Sequence, residues 1–172
     1  SGLVAGNINS LGFTVGATTG NPATLNGYTI RLATTTATVL TSTFQTPTFT
    51  TVYGPTNYTP TLNSINTHAF GSPFYWNGTS NLIVEICFSN QVVGYTAYQV
   101  QQTTAAFVAT TYYRADGTAG AGACTQATGT STSSVRPNMI FTSGSTQTST
   151  SNSITMAVNT SVTPSVAIAV TG

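Results

Sequence analysis

The chain of 172 residues is 40% hydrophobic but only 3% charged, with three Arg, no Lys, two acids and a formal net charge of +1. Its length suits one domain with a real core, and the missing charge is replaced by Ser, Asn, Gln and Thr, the last roughly a fifth of the residues. With no basic stripe to neutralise phosphates, nucleic-acid binding and docking on anionic membranes are excluded, and a hydroxyl- and amide-coated surface suits a secreted protein or a surface layer.

In chain order, the first strand is predicted over residues 8–17, where Leu11, Phe13 and Val15 alternate with Gly12 and Thr14. Asn26-Gly27 punctuates the chain before a second strand at 28–32, whose apolar residues alternate with Thr29 and Arg31. Residues 34–48, Thr-rich and interrupted by Pro47, read as either an edge strand or a long surface loop. A short strand from Phe49 to Tyr53 is expected to close at Gly54-Pro55. Another, from Ile65 to Phe70, is expected to lead through Gly71-Ser72-Pro73 into a hairpin.

That hairpin carries the strongest local signal. Asn77-Gly78 favours a tight turn because both residues accept positive φ, and Leu82 to Phe88 has the length and composition of a buried strand. Leu82, Val84, Ile86 and Phe88 share one face, and Ile83, Glu85 and Cys87 the other. Neither face is fully polar, so this is predicted to be a middle strand covered on both sides. A carboxylate at Glu85 then needs a partner, because bare burial of a charge is costly, and Arg31, Arg114 and Arg136 are the candidates.

Val92 to Gln101 and Ala106 to Arg114 read as further strands, both lacking a helical period. Residues 115–134 are rich in Gly, Ala, Ser and Thr and read as a loop. Cys87 and Cys124 are spaced like neither a metal site nor a redox pair, so in a secreted-looking chain they are expected to form one disulfide that pins this loop. Pro137 is expected to start a strand at 138–142, followed by a polar Ser/Thr linker at 144–153. Strands at 154–158 and 166–170 then complete the sandwich, begin a next Ig-like domain or pair with a neighbouring chain. The sequence shows no signal peptide and no apolar run long enough to span a bilayer, so an exported composition points to a processed or excised piece.

Catalytic constellations are sparse. A glycosidase needs two carboxyl groups, and the two available, Glu85 and Asp116, fall on a strand and in a Gly-rich loop. A Ser or Cys triad would need His68 as base, but His68 lies in an ordinary alternating segment and no nucleophile elbow surrounds any Ser. Asp116 lacks the repeated acids of a calcium loop. Tyr75, Trp76 and Asn77, with Tyr112, Tyr113, Arg114 and Asp116, are instead the residue types of a sugar-binding sandwich: flat aromatic faces beside hydrogen-bonding side chains. The bland reading of Trp76 is a core anchor before a turn. Asn57, Asn77 and Asn159 match the glycan-acceptor pattern, as chance allows in so Thr-rich a chain.

The run from Trp76 to Asn90, with Tyr113, Cys124 and Arg136-Pro137-Asn138, resembles a β-rich domain of large secreted and surface, adhesin-like proteins of Bacteroidetes-type bacteria, over about residues 3–143. The closing segment 163–172 is similar to the first strand of Ig-like repeats that often follow that domain. The resemblance implies an exported module among neighbouring domains, and fold-level analogy supplies no activity.

These readings converge on an all-β, antiparallel, jelly-roll-like sandwich over residues 1–143, with one disulfide and a C-terminal strand region. The expected role is a non-catalytic, structural or adhesive module of an extracellular adhesin or filament; the rival is a carbohydrate-binding module. Expected partners are neighbouring domains, copies of itself and glycans, with no nucleic acid, no membrane insertion, no cofactor and no metal.

Overall fold

The computed structural model describes residues 4–19, 24–90, 97–115 and 122–144, and these are all-β and antiparallel. In order the strands are β1 (Gly6–Thr19), β2 (Leu25–Thr35), β3 (Thr50–Tyr58), β4 (Ser64–Trp76), β5 (Asn81–Cys87), β6 (Ala97–Val100), β7 (Gln102–Thr104), β8 (Thr110–Tyr112), β9 (Ser131–Ser133), β10 (Val135–Pro137) and β11 (Ile140–Gly144). β1 is the centre of one sheet, paired with β4 on one side and, on the other, with β11 along residues 7–12 and with β6 along residues 15–19. The second sheet has the order β3-β2-β5.

The period-2 pattern of β1 turns Leu11 and Phe13 toward the second sheet, where they meet Tyr28, Ile30 and Leu32 of β2 and Val52 of β3. Phe70, Phe74, Val84, Val100, Met139 and Phe141 close around this cluster. Each large apolar side chain taken fully out of water contributes about 1.5–3 kcal/mol, so these two strands form the centre of gravity of the fold. The chain changes sheet at β1–β2, β3–β4 and β4–β5, the habit of Greek-key sandwiches.

β3 packs against β4. With β1 facing β2, the opposite ends of the two sheets, β5 in one and β6 with β11 in the other, share the remaining side of the sandwich. An arm crosses that side. It leaves the first sheet at the end of β6, after Val100, runs out as β7 and β8, and returns as β9 and β10, after which Asn138 N donates to Gln101 O at 2.8 Å. Leu40 N donates to Val108 O, Phe44 N to Ala127 O and Gly129 N to Ser42 O, tying the far end of the arm to the loop after β2. Cys124, in a single 3₁₀ turn at 122–125, is bonded to Cys87 at the end of β5, with the Cα atoms 5.6 Å apart.

Several local expectations change in this frame. Among the described residues β5 is an edge strand and not a middle one. Its two apolar faces have separate causes: Val84 joins the core, whereas Cys87, on the other face, receives the arm. Asn77-Gly78 does turn the chain, with Gly78 at φ +80°, but the turn is a corner between sheets and not a hairpin, since β4 and β5 belong to different ones. Gly54-Pro55 does not end β3. Gly54 adopts φ +77° where any Cβ would collide with the Tyr28 carbonyl, so the strand bulges there and runs on to Tyr58. β4 likewise continues through Gly71-Ser72-Pro73, with residues 70–73 bulged opposite Asn9; the bulge accommodates Pro73, and among the described residues β4 is an edge strand.

Residues 36–48 take the loop form of the two left open, with one isolated bridge between Thr43 and Thr128. The strand expected at 106–114 shortens to β8, and the expected loop 115–134 contains β9. Pro137 ends β10 where it was expected to start β11. Gly144, the first residue of the expected linker, closes β11. Residues 92–96 of one expected strand, Asp116, and 145–172 with the C-terminal strands lie outside the described residues.

Candidate binding surface

The corner after β4 uses two of the expected ligand residues for itself. Asn77 Oδ1 accepts from Thr79 N at 3.0 Å and Ser80 N at 2.8 Å, while its Nδ2 donates to Ser80 Oγ at 2.8 Å, an Asx-type turn. Half-buried Trp76 donates from Nε1 to Ser80 O at 2.7 Å, so the indole serves the same turn. Tyr75 points the other way and is 67% exposed.

The ladder places Tyr75 directly opposite Asn7 on β1, and Asn7 in turn opposite Gly144 on β11, so the three share one face of the first sheet. Asn9 reaches the same face from the adjacent bulge: its Nδ2 lies where a Cβ on Gly144 would stand. Asn7 and Asn9 were not singled out from sequence, because in a chain this rich in amides nothing local marks them. Tyr112, Tyr113 and Arg114 sit elsewhere, on or just beyond β8, where Tyr112 faces Ser131 and Arg114 N donates to Thr130 Oγ1 at 3.2 Å. The aromatic candidates are thus divided between β4 and the arm.

The ionisable side chains are committed to structure. Register pairs Arg31 with Glu85 across β2 and β5; Arg31 Nε donates to Glu85 Oε1 at 2.6 Å, and Nη2 donates to the same oxygen. The guanidinium lies 5.0 Å over the Phe49 ring, whereas Arg114 and Arg136 are exposed. His68, 2% exposed, is walled by Tyr53, Tyr58, Tyr28 and Phe13 at centroid distances of 4.7, 4.8, 5.1 and 6.4 Å. Burial holds the imidazole pKa below its ordinary value, and burial with the neighbouring Tyr53 pushes Tyr58 up to about 12. Tyr58 donates its hydroxyl proton to Asn66 Oδ1, which also accepts from Thr61 N at 2.7 Å and so anchors the β3–β4 connection.

A shallow depression of about 330 Å³ is lined by Thr34, Thr35, Thr36, Pro47 and Ser80, hydroxyls with no titratable group among them. Among the described residues no group of three His, Cys, Asp or Glu gathers to hold a metal, and no helix is long and apolar enough to cross a membrane.

These features define an antiparallel all-β protein whose two facing sheets are bridged by a disulfide-tied arm. No protein-family model, no curated protein and no solved structure matches the chain.

Proposed function

We propose that the chain is a non-catalytic module of an extracellular adhesin or filament, of the kind found in the surface proteins that its sequence resembles. The observation that carries this reading is the Cys87–Cys124 bond, which ties the arm across the side of a charge-poor sandwich. Such bonds persist in oxidising surroundings outside the cytosol, and a hydroxyl and amide coat tolerates close contact with neighbours. Glu85 held by Arg31, and His68 enclosed by aromatic rings, are poorly placed for proton transfer to a substrate, which favours adhesion over catalysis. Beads carrying the oxidised chain are expected to be retained under shear on cell-coated surfaces, and to lose part of that retention when the chain is reduced and alkylated. Retention no better than that of blank beads on every surface would overturn the adhesive reading.

A further inference from the structure

We infer that the outer face of the β4-β1-β11 sheet carries a binding platform for neutral sugars, built from Tyr75, Asn7 and Asn9. This deepens the adhesive reading and rests on it, by naming the class of ligand that the module would hold.

The argument begins with how the chain uses its asparagines. Asn57, Asn66, Asn77, Asn81, Asn90 and Asn138 all hydrogen-bond through their side chains to backbone or to other side chains of the protein. Among the described residues, the amides of Asn7, Asn9, Asn26 and Asn63 have no such partner; Asn26 and Asn63 are exposed and served by water, whereas Asn7 and Asn9 are half-buried and rooted in the central strand β1. Each therefore keeps a carbonyl oxygen and an NH2 group, acceptor and donor, for something outside the described protein.

Beside them lies the most exposed tyrosine of the described residues, fixed by its ladder partner Asn7 and not carried on a loop. Gly144 completes the row without a side chain, so the ground next to Asn7 is kept low, with the Asn9 amide laid over it. A flat ring next to two free amides matches a pyranose: axial C–H groups rest on the aromatic face while vicinal hydroxyls meet donor and acceptor pairs. The chain's charge favours a neutral sugar. Of the two acids, Glu85 is held by Arg31 on the other sheet and Asp116 lies outside the described residues; no Arg stands in this row to favour an anionic one. Placement on three paired strands supplies the preorganisation that limits the entropy lost on binding.

The test uses the intact 172-residue chain and a panel of neutral hexasaccharides of glucose, xylose, mannose and galactose, read by calorimetry or by amide shifts in NMR. At least one is expected to bind in the millimolar range or better. Tyr75→Ala should weaken that binding roughly tenfold and Tyr75→Phe should largely keep it, since the ring face is what the sugar uses. Asn7→Ala and Asn9→Ala should each weaken it several-fold, and Tyr112→Ala should leave it unchanged. Thermal melts of all five variants should match the wild type, because Tyr75 is exposed and the two amides hold nothing in the fold. Binding untouched by Tyr75→Ala, binding lost through Tyr112→Ala instead, or a wild-type chain that binds none of the panel overturns the inference. If bead retention persists while sugar binding fails, the ligand class is wrong and the adhesive role stands; if retention fails, the wider reading falls with it.

Discussion

The sandwich and the arm are made from similar residue types but held by different forces. In the sandwich Ile8, Leu11, Ile30 and Leu32 are essentially inaccessible, and rings from β1, β2 and β3 interlock around His68 of β4. In the arm no described residue from 101 to 138 is fully buried. Its order comes from short ladders, from threonine hydroxyls and from one disulfide: Thr110 Oγ1 donates to Val135 O at 2.8 Å, Thr111 Oγ1 to Thr41 O at 2.6 Å and Thr103 Oγ1 to Asn138 Oδ1 at 2.7 Å. A hydrogen bond contributes only about 1 kcal/mol net, so the arm should be the first part of the described fold to open.

The sharpest way to break this contrast is to weaken each part by its own main force. Leu32→Ala removes a fully buried side chain between the sheets and should cost about 2–5 kcal/mol, seen as one cooperative loss in urea titration. Cys124→Ser releases a crosslink spanning 37 positions, for which the chain-entropy argument gives about 4 kcal/mol as an upper figure. Much of that loss should be local. Amide exchange is expected to rise through β7, β8, β9 and β10 while β1 and β2 keep their protection. Equal loss of protection in both parts would show that the arm belongs to the same cooperative unit as the core.

This contrast also explains what could be read from the sequence. Strict alternation marked β1 and β2 as strands, though not as the central ones, because there the inner face meets only the core. The run from Leu82 to Phe88 misled for the opposite reason: two different coverings, core on one face and arm on the other, imitate the pattern of a middle strand. The cysteine pairing and the need of Glu85 for an Arg were legible, since each follows from the chemistry of a few residues. The choice of Arg31 was not, because it depends on the register of β2 against β5. Asn77-Gly78 announced a turn, but packing decided which sheet the next strand would join. The split of the aromatic residues between β4 and the arm was beyond any local signal, as was the placing of Asn7 and Asn9 beside Tyr75.

A smaller effect distinguishes the enclosed core by pH. Burial lowers the His68 pKa below the ordinary 6.5; of the tyrosines facing it, Tyr28, Tyr53 and Tyr58, burial pushes the Tyr28 and Tyr58 hydroxyls up, away from this range. Below about pH 6.5 the unfolded chain takes up a proton that the folded chain resists. Stability from this group is therefore complete above that value and falls as the solution is acidified toward the folded pKa, with a slope of at most about 1.4 kcal/mol per pH unit. Urea midpoints of the wild type should drop over this interval, and those of His68→Phe should drop less. An identical slope in both proteins would mean that other groups control the acid response.

The smallest expected effect lies between the two regions, at the pair on the outer face of β2 and β5. The Arg31 and Glu85 side chains keep 38% and 28% of their exposure, so solvent screens their attraction and limits what the pair contributes. If Glu85 were replaced by Gln, the guanidinium would retain the Phe49 ring and its access to water, and the amide oxygen of Gln could still accept from Arg31. Glu85→Gln should therefore cost about 0.5–1 kcal/mol, well below a core deletion, and the difference from wild type should shrink as salt is added. Binding at the Tyr75 face should not change, since Glu85 belongs to the other sheet. A double-mutant cycle with Arg31→Met measures the coupling directly. A coupling above about 3 kcal/mol would place this pair among fully buried ones, and would mean that the arm and the 36–48 loop shield the outer face of β2 and β5 more completely in solution than in the structure.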